Sequence, residues 1–485
     1  MLAERGFRVL VLEAHATRPG GAVWSSAATL PGFVHDDGAA FFTFGKISPA
    51  FRHLELEARG VRWCHAEIES CHPAPDGSVA SIARDPDRAS CGFGSAEDSL
   101  RWRRLAAWHR SVEPRLVDLL LSPIPALGPA LRLLPVDLLR FARIAASSGR
   151  ALSRRLFASD AARRVLPSLA LHVDVGPDDR FGAALGYVLG LTATTGGYAV
   201  PEGGARSVTN ALLGILQSHG GSLRLGARVE RIVVRDRRAC AVRTAAGEEF
   251  AVSRGVLADT AAPRLFLELV ERAQIPARIV RSMLGFRHGW GTFKLDWALS
   301  APVPWSVEEA RRSAVVHAGD SVDDLARFTA EVRRGEIPRH PYLVIGQQSL
   351  ADPSRAPAGR HTLWAYSRVP PRPAGGWAAR GEEFADRVER RIEELAPGFR
   401  SLVLARRIST PDDLEAMNEN LVGGDLGGGS NAWSRQLVFR PVFPHFRYRT
   451  PVRGLYLCSS YAHPGAGVHG MCGYNAARAA ARDLG

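Results

Sequence analysis

Residues 455–473 read Leu-Tyr-Leu-Cys-Ser-Ser-Tyr-Ala-His-Pro-Gly-Ala-Gly-Val-His-Gly-Met-Cys-Gly, with Thr450-Pro-Val-Arg-Gly454 before them and an alanine-rich stretch over 474–483 after them. An apolar run after a proline turn predicts a strand, the small residues a tight loop, and the alanines a helix. Strand, glycine loop and helix start together present backbone N–H groups and the positive end of a helix dipole to an electron-rich group. Two histidines, His463 and His469, lie in the loop. Histidine transfers protons near neutral pH; a loop histidine bonded only to backbone is the plainer alternative.

Near the start, Phe7-Arg-Val-Leu-Val-Leu-Glu13 is a short apolar run that closes on an acid. The second strand of a dinucleotide-binding βαβ unit ends this way, because a carboxylate there accepts hydrogen bonds from both ribose hydroxyls. A surface carboxylate ending a strand is the alternative. Arg18-Pro-Gly-Gly21 comes next, and paired glycines let backbone approach a phosphate or ring without a Cβ clash. Leu30-Pro-Gly-Phe33 and Asp37-Gly-Ala-Ala40 follow. Further on, Tyr198-Ala-Val-Pro-Glu-Gly-Gly204 feeds an amphipathic helix over 205–219, and short strands separated by turns fill 222–259.

In this order the blocks resemble the flavin-containing oxidoreductases related to phytoene desaturase and amine oxidase, most strongly over 7–40, 198–262 and 420–480. The resemblance implies FAD as cofactor. It implies that Glu13 holds the ribose, that Arg18, Gly20 and Gly21 line the cofactor, and that Val229 recognises adenine through its backbone. It also implies that Ser459, Ser460, Gly467, Val468, His469, Gly470 and Met471 meet the ribityl chain, the pyrophosphate and the flavin pyrimidine edge. Negative charge stabilised at that edge favours the reduced ring. Position 459 is usually glycine in the family, so a serine there makes the phosphate approach less close. Lys294, within Trp290-Gly-Thr-Phe-Lys-Leu-Asp-Trp297, is one of only two lysines in the chain, with Lys46. A strand lysine at the corresponding place in amine-oxidase relatives points at flavin N5; a solvated strand lysine is the alternative. The Gly-Met-Cys-Gly and Gly-Gly-Asp variants look nearer to pyridine-nucleotide-disulfide-oxidoreductase-domain proteins than to carotenoid desaturases.

The family carries a first strand and a GxGxxG loop about two dozen residues before the glutamate, whereas twelve residues precede Glu13. The expectation is that Met1 is a misplaced start within a longer gene, and that the chain lacks the strand and loop that hold the FAD pyrophosphate. A degenerate relative is the alternative.

Composition bounds the remaining classes. A chain of 485 residues with 46% hydrophobic and 23% charged residues is long enough for two domains. The net charge of +13 comes almost wholly from arginines scattered along the chain, which argues against nucleic acid. Six dispersed cysteines lack zinc spacing and read as reduced thiols. Residues 100–156 read as helices with apolar runs, either a buried layer or an apolar substrate tunnel and membrane-facing lip. The glycine-rich stretch 421–429 reads as a flexible turn.

The expected fold is α/β: a Rossmann-like FAD domain from 1–57, 190–262 and 405–485, with an inserted α+β substrate domain from 58–189 and 263–404. The expected function is hydride transfer from a small, apolar substrate to flavin N5, with Lys294 and His463 as catalytic candidates and no metal. The expected address is cytoplasmic, with peripheral contact at a membrane. Two alternatives stand: a flavin amine oxidase caged by Trp290, Trp297 and Tyr474, and a non-catalytic remnant that binds partners.

Overall fold

The computed structural model describes residues 1–85 and 92–485, so Cys91 lies outside them. Its largest element is a seven-stranded sheet in the order Val403–Ser409, Gly291–Leu299, His361–Val369, Leu343–Gly346, Ser313–Ala318, Ile68–Pro73 and Val79–Ile82. Neighbours run antiparallel except Ser313–Ala318 beside Ile68–Pro73, which are parallel. All nine residues of Gly291–Leu299 are buried, because helices cover both faces of the sheet. The period of two divides them. Phe293, Leu295 and Trp297 pack with Trp377, Phe384, Val388 and Ile392 of the helix Gly376–Leu395. Thr292 and Lys294 face the other way, into a cavity.

The second face carries a helical layer comprising Ala96–Leu121, Leu127–Leu131, Pro135–Ala145, Gly149–Leu156, Val165–Ala170 and Ala183–Thr192. Leu105, Leu116, Leu166, Leu169 and Tyr187 from these helices pack against Val315, Val344 and Trp364 of the sheet. The helical reading of 100–156 is matched, and much of it is core. The exception is the apolar side chains Leu127, Leu131, Leu134, Val136 and Leu139, which stay exposed.

The remaining strands are mostly short, and two of their pairs are parallel. Leu10–Leu12 pairs with Ser222–Arg224, and Val256–Ala258 pairs with Leu455–Leu457, both in parallel. Between these pairs in sequence, Val229–Arg235, Arg238–Thr244 and Glu249–Ala251 make an antiparallel ribbon. Each parallel pair stands as a separate two-stranded sheet. Among the described residues no second strand pairs with Leu10–Leu12 or with Val256–Ala258, and Leu10 and Val11 remain 43% and 39% exposed. Val403–Ser409 belongs by hydrogen bonding to the seven-stranded sheet, so the expected boundary between 404 and 405 falls inside a strand.

Candidate functional site

The parallel-strand part and the large sheet open onto one cavity of about 2980 Å³. A drug-sized ligand occupies roughly 300–1,000 Å³, so a dinucleotide and a second molecule fit together. Glu13, Arg18, Gly20, Gly21, Val229 and residues 458–461 and 463–470 line the cavity on the parallel-strand side. Thr292, Lys294, Trp364, Tyr366 and Arg368 line it on the sheet side.

On the first side, the strand Leu455–Leu457 runs into the loop and then into the helix Met471–Leu484, capped by Gly470 at φ +66°. Gly467 sits at φ +120°, a conformation that glycine adopts without a Cβ clash. The Met471 N–H donates to Nδ1 of His469 at 3.0 Å, which fixes the imidazole under the loop. Arg440, 2% exposed, donates through Nη2 to the carbonyls of Gly428 at 3.0 Å and Ser460 at 2.8 Å. Asp425 accepts the N–H groups of Gly289, Gly427 and Gly429 at 2.7–2.8 Å. The stretch expected to be a loose turn is therefore clamped: a buried carboxylate gathers its donors and a buried guanidinium its carbonyls.

Burial lowers the pKa of both His463 and His469 to about 4, so both are neutral near pH 7. Nε2 of each, and Oγ1 of Thr260, are buried without a hydrogen-bond partner, although all three residues line the cavity. An unpaired buried polar atom is costly, and a polar ligand beside it removes that cost. The Ser459 hydroxyl is spent on backbone: its Oγ donates to the Thr260 carbonyl at 2.7 Å.

Glu13 follows Leu10–Leu12 directly, and its Oε1 accepts the His15 N–H at 2.8 Å. Gly20 and Gly21 have φ of +101° and +54°, and a Cβ at Gly20 would lie 2.7 Å from Oγ1 of Thr209. Arg18 is committed elsewhere, paired with Asp37 at 3.1 Å and lying over the ring of Trp24. A cavity of this size, its glycine cradle, the acid at a strand end and the unpaired donors fit FAD.

On the sheet side, Lys294 is buried and ion-paired with Asp296. Its neighbours across the ladder are Tyr366 on one side and Ser409 on the other. Tyr366 stacks on Trp364 with centroids 5.5 Å apart, and the Arg368 guanidinium lies 5.1 Å over its other side. Arg368 is 4% exposed and meets no carboxylate among the described residues. The aromatic cage of the alternative amine-oxidase reading is not assembled from these three residues. Trp297 points to the opposite face and donates to Glu389 at 2.9 Å, Trp290 lies outside the cavity wall, and Tyr474 sits edge-on to His53. Tyr366, Arg368 and His172 were missed by sequence reading; the alternation Trp364, Tyr366, Arg368 within His361–Val369 was the available signal.

The profile described as "flavin containing amine oxidoreductase" matches residues 1–262, more than half of the chain. Pyridine nucleotide-disulfide oxidoreductase domain-containing protein 2 of Mus musculus is 32% identical over 316 residues, covering 62% of this chain and 54% of that protein. A lycopene-forming phytoene desaturase of Pseudescherichia vulneris is 26% identical over 286 residues, covering 56% and 53%. The chain thus spans about half the length of the curated relatives it matches. Among solved structures, an oxidoreductase from Methanosarcina mazei superposes with a TM-score of 0.63 at 15% identity, covering 99% of this chain and 96% of that one. Cyclohexylamine oxidase from Brevibacterium oxydans superposes with a TM-score of 0.58 at 14% identity, covering 100% and 95%. These two likenesses support the fold, and the profile settles the lineage: the chain belongs to the flavin-containing amine oxidoreductase family, whose cofactor is FAD.

Proposed function

We propose that the chain is an FAD-dependent dehydrogenase or desaturase that removes hydride from an apolar substrate to flavin N5. The observation that carries this reading is the single cavity shared by the glycine-rich cradle and the Lys294–Tyr366 row of the sheet. Bound against the cradle, FAD supplies a two-electron acceptor. Glu13, the Gly20–Gly21 pair and the 459–471 loop hold it, while the loop's helix start provides positive dipole. Lys294 supplies an ammonium on the sheet side, with its charge balanced by Asp296. The unpaired guanidinium of Arg368 opposes a cationic amine, which favours this reading over an amine oxidase.

Substrate is taken to come from a membrane surface. Among the described residues no helix is long and apolar enough to cross one. Leu127, Leu131, Leu134, Val136 and Leu139 are nonetheless exposed, as are Trp433, Leu437, Phe439 and Phe443, and Arg447 Nε donates to the Ile124 carbonyl at 2.8 Å between the two stretches. Of these, Trp433 and Leu437 also stand in the cavity wall. We further place the chain's two units as an FAD part and a substrate part, with the boundary after Ser409 rather than before it.

The test is the visible spectrum of the chain mixed with FAD, followed anaerobically with apolar alkenes and alcohols. Bound flavin that bleaches with one of them supports the proposal. Failure to bind FAD at any concentration, or bleaching only with amines, overturns it.

A further inference from the structure

Behind Tyr366 a line of hydrogen bonds runs into the core. The Tyr366 hydroxyl lies 3.2 Å from Nδ1 of His172, whose Nε2 lies 2.8 Å from Nε2 of His317. Nδ1 of His317 is 3.0 Å from Oγ of Ser70, which is 3.0 Å from Nε2 of His72. Nδ1 of His72 is 2.9 Å from Oγ of Ser168, and that hydroxyl ends 2.8 Å from the Val165 carbonyl. Sheet register builds most of it. Tyr366 is opposite Val344, and Val344 is opposite His317. The rings of His317 and His72 stack 4.5 Å apart on neighbouring strands.

The last bond orients all the others. A carbonyl has no hydrogen to give, so an oxygen–oxygen contact of 2.8 Å there requires Ser168 to donate to Val165. Ser168 has then spent its only proton and accepts from His72 Nδ1–H. A neutral imidazole carries one N–H, so Nε2 of His72 accepts from Ser70. Ser70 in turn accepts from His317 Nδ1–H, and Nε2 of His317 accepts from His172 Nε2–H. Nδ1 of His172 is left as an acceptor, and the Tyr366 phenol donates to it. Burial keeps all three imidazoles neutral, with His172 pushed down to about 3. The phenol proton is thus committed inward, and Tyr366 offers the cavity lone pairs alone.

We propose that Tyr366 is the proton-accepting residue of the cavity and that the ligand it selects is an apolar molecule bearing a hydroxyl group. This rests on the dehydrogenase reading above and narrows its substrate to an alcohol. With FAD held in the cradle, the flavin would supply the acceptor for the carbinol hydride, and Tyr366 Oη would take the alcohol's O–H proton as the C=O bond forms. Tyr366 simultaneously gives its own proton to Nδ1 of His172, which hands its Nε2 proton to His317; the excess proton rests on the buried imidazoles. Because these hold a proton poorly, they would return it by the same route once the product has left, and Tyr366 Oη would release one proton to the cavity and keep one.

Two measurements test this, and neither needs flavin turnover. Selective 15N labelling of histidine, read by long-range 1H–15N correlation, gives each tautomer: His172 with Nε2–H, and His317 and His72 with Nδ1–H, are expected. The opposite tautomer at His317 reverses the line and overturns the proposal. Secondly, binding of 1-decanol and of decyl methyl ether is followed through the His172 15N shifts. The alcohol is expected to bind about tenfold more tightly, roughly the worth of one hydrogen bond, and Tyr366→Phe is expected to abolish the preference. Equal binding of alcohol and ether by the wild-type chain overturns the substrate class, whether or not the protein proves to be a dehydrogenase. Conversely, absence of flavin bleaching by any alcohol, with the tautomers and the preference as stated, sinks only the dehydrogenase reading.

Discussion

The Lys294 ammonium is ion-paired with Asp296, two residues along the same strand, with both side chains almost fully buried. Desolvation opposes the charge on Asp296, and the lysine beside it together with His35, whose Nδ1 lies 3.5 Å from Oδ1, more than offsets that, holding its carboxyl below the usual range. Replacing Lys294 by Met leaves the carboxylate with His35 alone. A buried charge left without its partner costs about 3–5 kcal/mol. Lys294→Met is expected to lower the urea midpoint accordingly, and Lys294→Met with Asp296→Asn to recover most of the loss. A single variant as stable as wild type would show that the pair is solvated.

Gly467→Ala separates cofactor binding from folding. At φ +120° an alanine is strained, and its Cβ would approach Cδ2 of His469 at 3.2 Å. The loop must shift by tenths of an ångström at the place where a cofactor is held. At least tenfold weaker FAD binding is expected, with an unchanged far-UV spectrum. FAD titration of the two proteins checks it.

Acid stability follows from His463 and His469. Each has a pKa near 4 when folded, against about 6.5 unfolded. The unfolded chain therefore binds more protons between those values, and stability falls as pH drops through that window. Each histidine contributes a loss of about 2 kcal/mol between pH 6.5 and 5. Denaturation curves at pH 7 and pH 5 should differ in this direction. His463→Gln should shrink the difference by about 2 kcal/mol.

The C-terminal loop and the Phe7–Glu13 strand were legible because their chemistry is written in contiguous residues, where periodicity and glycine placement act locally. The proton line was not, since Tyr366 and His172 are 194 positions apart and meet only through sheet register and a helix packed over it. Part of the rival cage could have been dismissed from the sequence. Lys294 and Trp297 are three apart on a strand, so a period of two puts them on opposite faces, and Trp297 duly enters the other core. The clamp on 421–429 was hidden in a different way: its anchors, Asp425 and Arg440, are single charged residues whose partners are backbone atoms, which leave no trace in side-chain identity.

The exposed apolar side chains give a binding prediction. Leu127, Leu131, Leu134 and Val136 are 57–87% exposed, and each buries about 1.5–3 kcal/mol of side chain on transfer from water. Changing all four to Ser should weaken sedimentation with anionic phospholipid vesicles by at least tenfold and leave thermal unfolding unmoved. Equal sedimentation of both proteins would remove the membrane from the proposal.

The unpaired strand edges of the parallel pairs carry the last prediction. Leu10–Leu12 and Val256–Ala258 both line the cavity, each bonded to a strand on one side alone among the described residues. An open edge presents unmet N–H and C=O groups, and apolar side chains in the middle of a strand, such as Leu10 and Val11, are ordinarily covered. A parallel strand placed beside Leu10–Leu12 would satisfy that edge, and a glycine turn at its end would aim a helix N-terminus at the cavity. A variant with a strand, a GxGxxG turn and a helix fused ahead of Met1 is therefore expected to bind FAD at least tenfold more tightly than the 485-residue chain, and to protect the amides of Leu10 and Val11 from hydrogen exchange. A fusion that gains affinity without that protection would mean that the added segment binds elsewhere; one that gains neither would mean that the cradle made by Glu13, Gly20, Gly21 and the 459–471 loop is already sufficient.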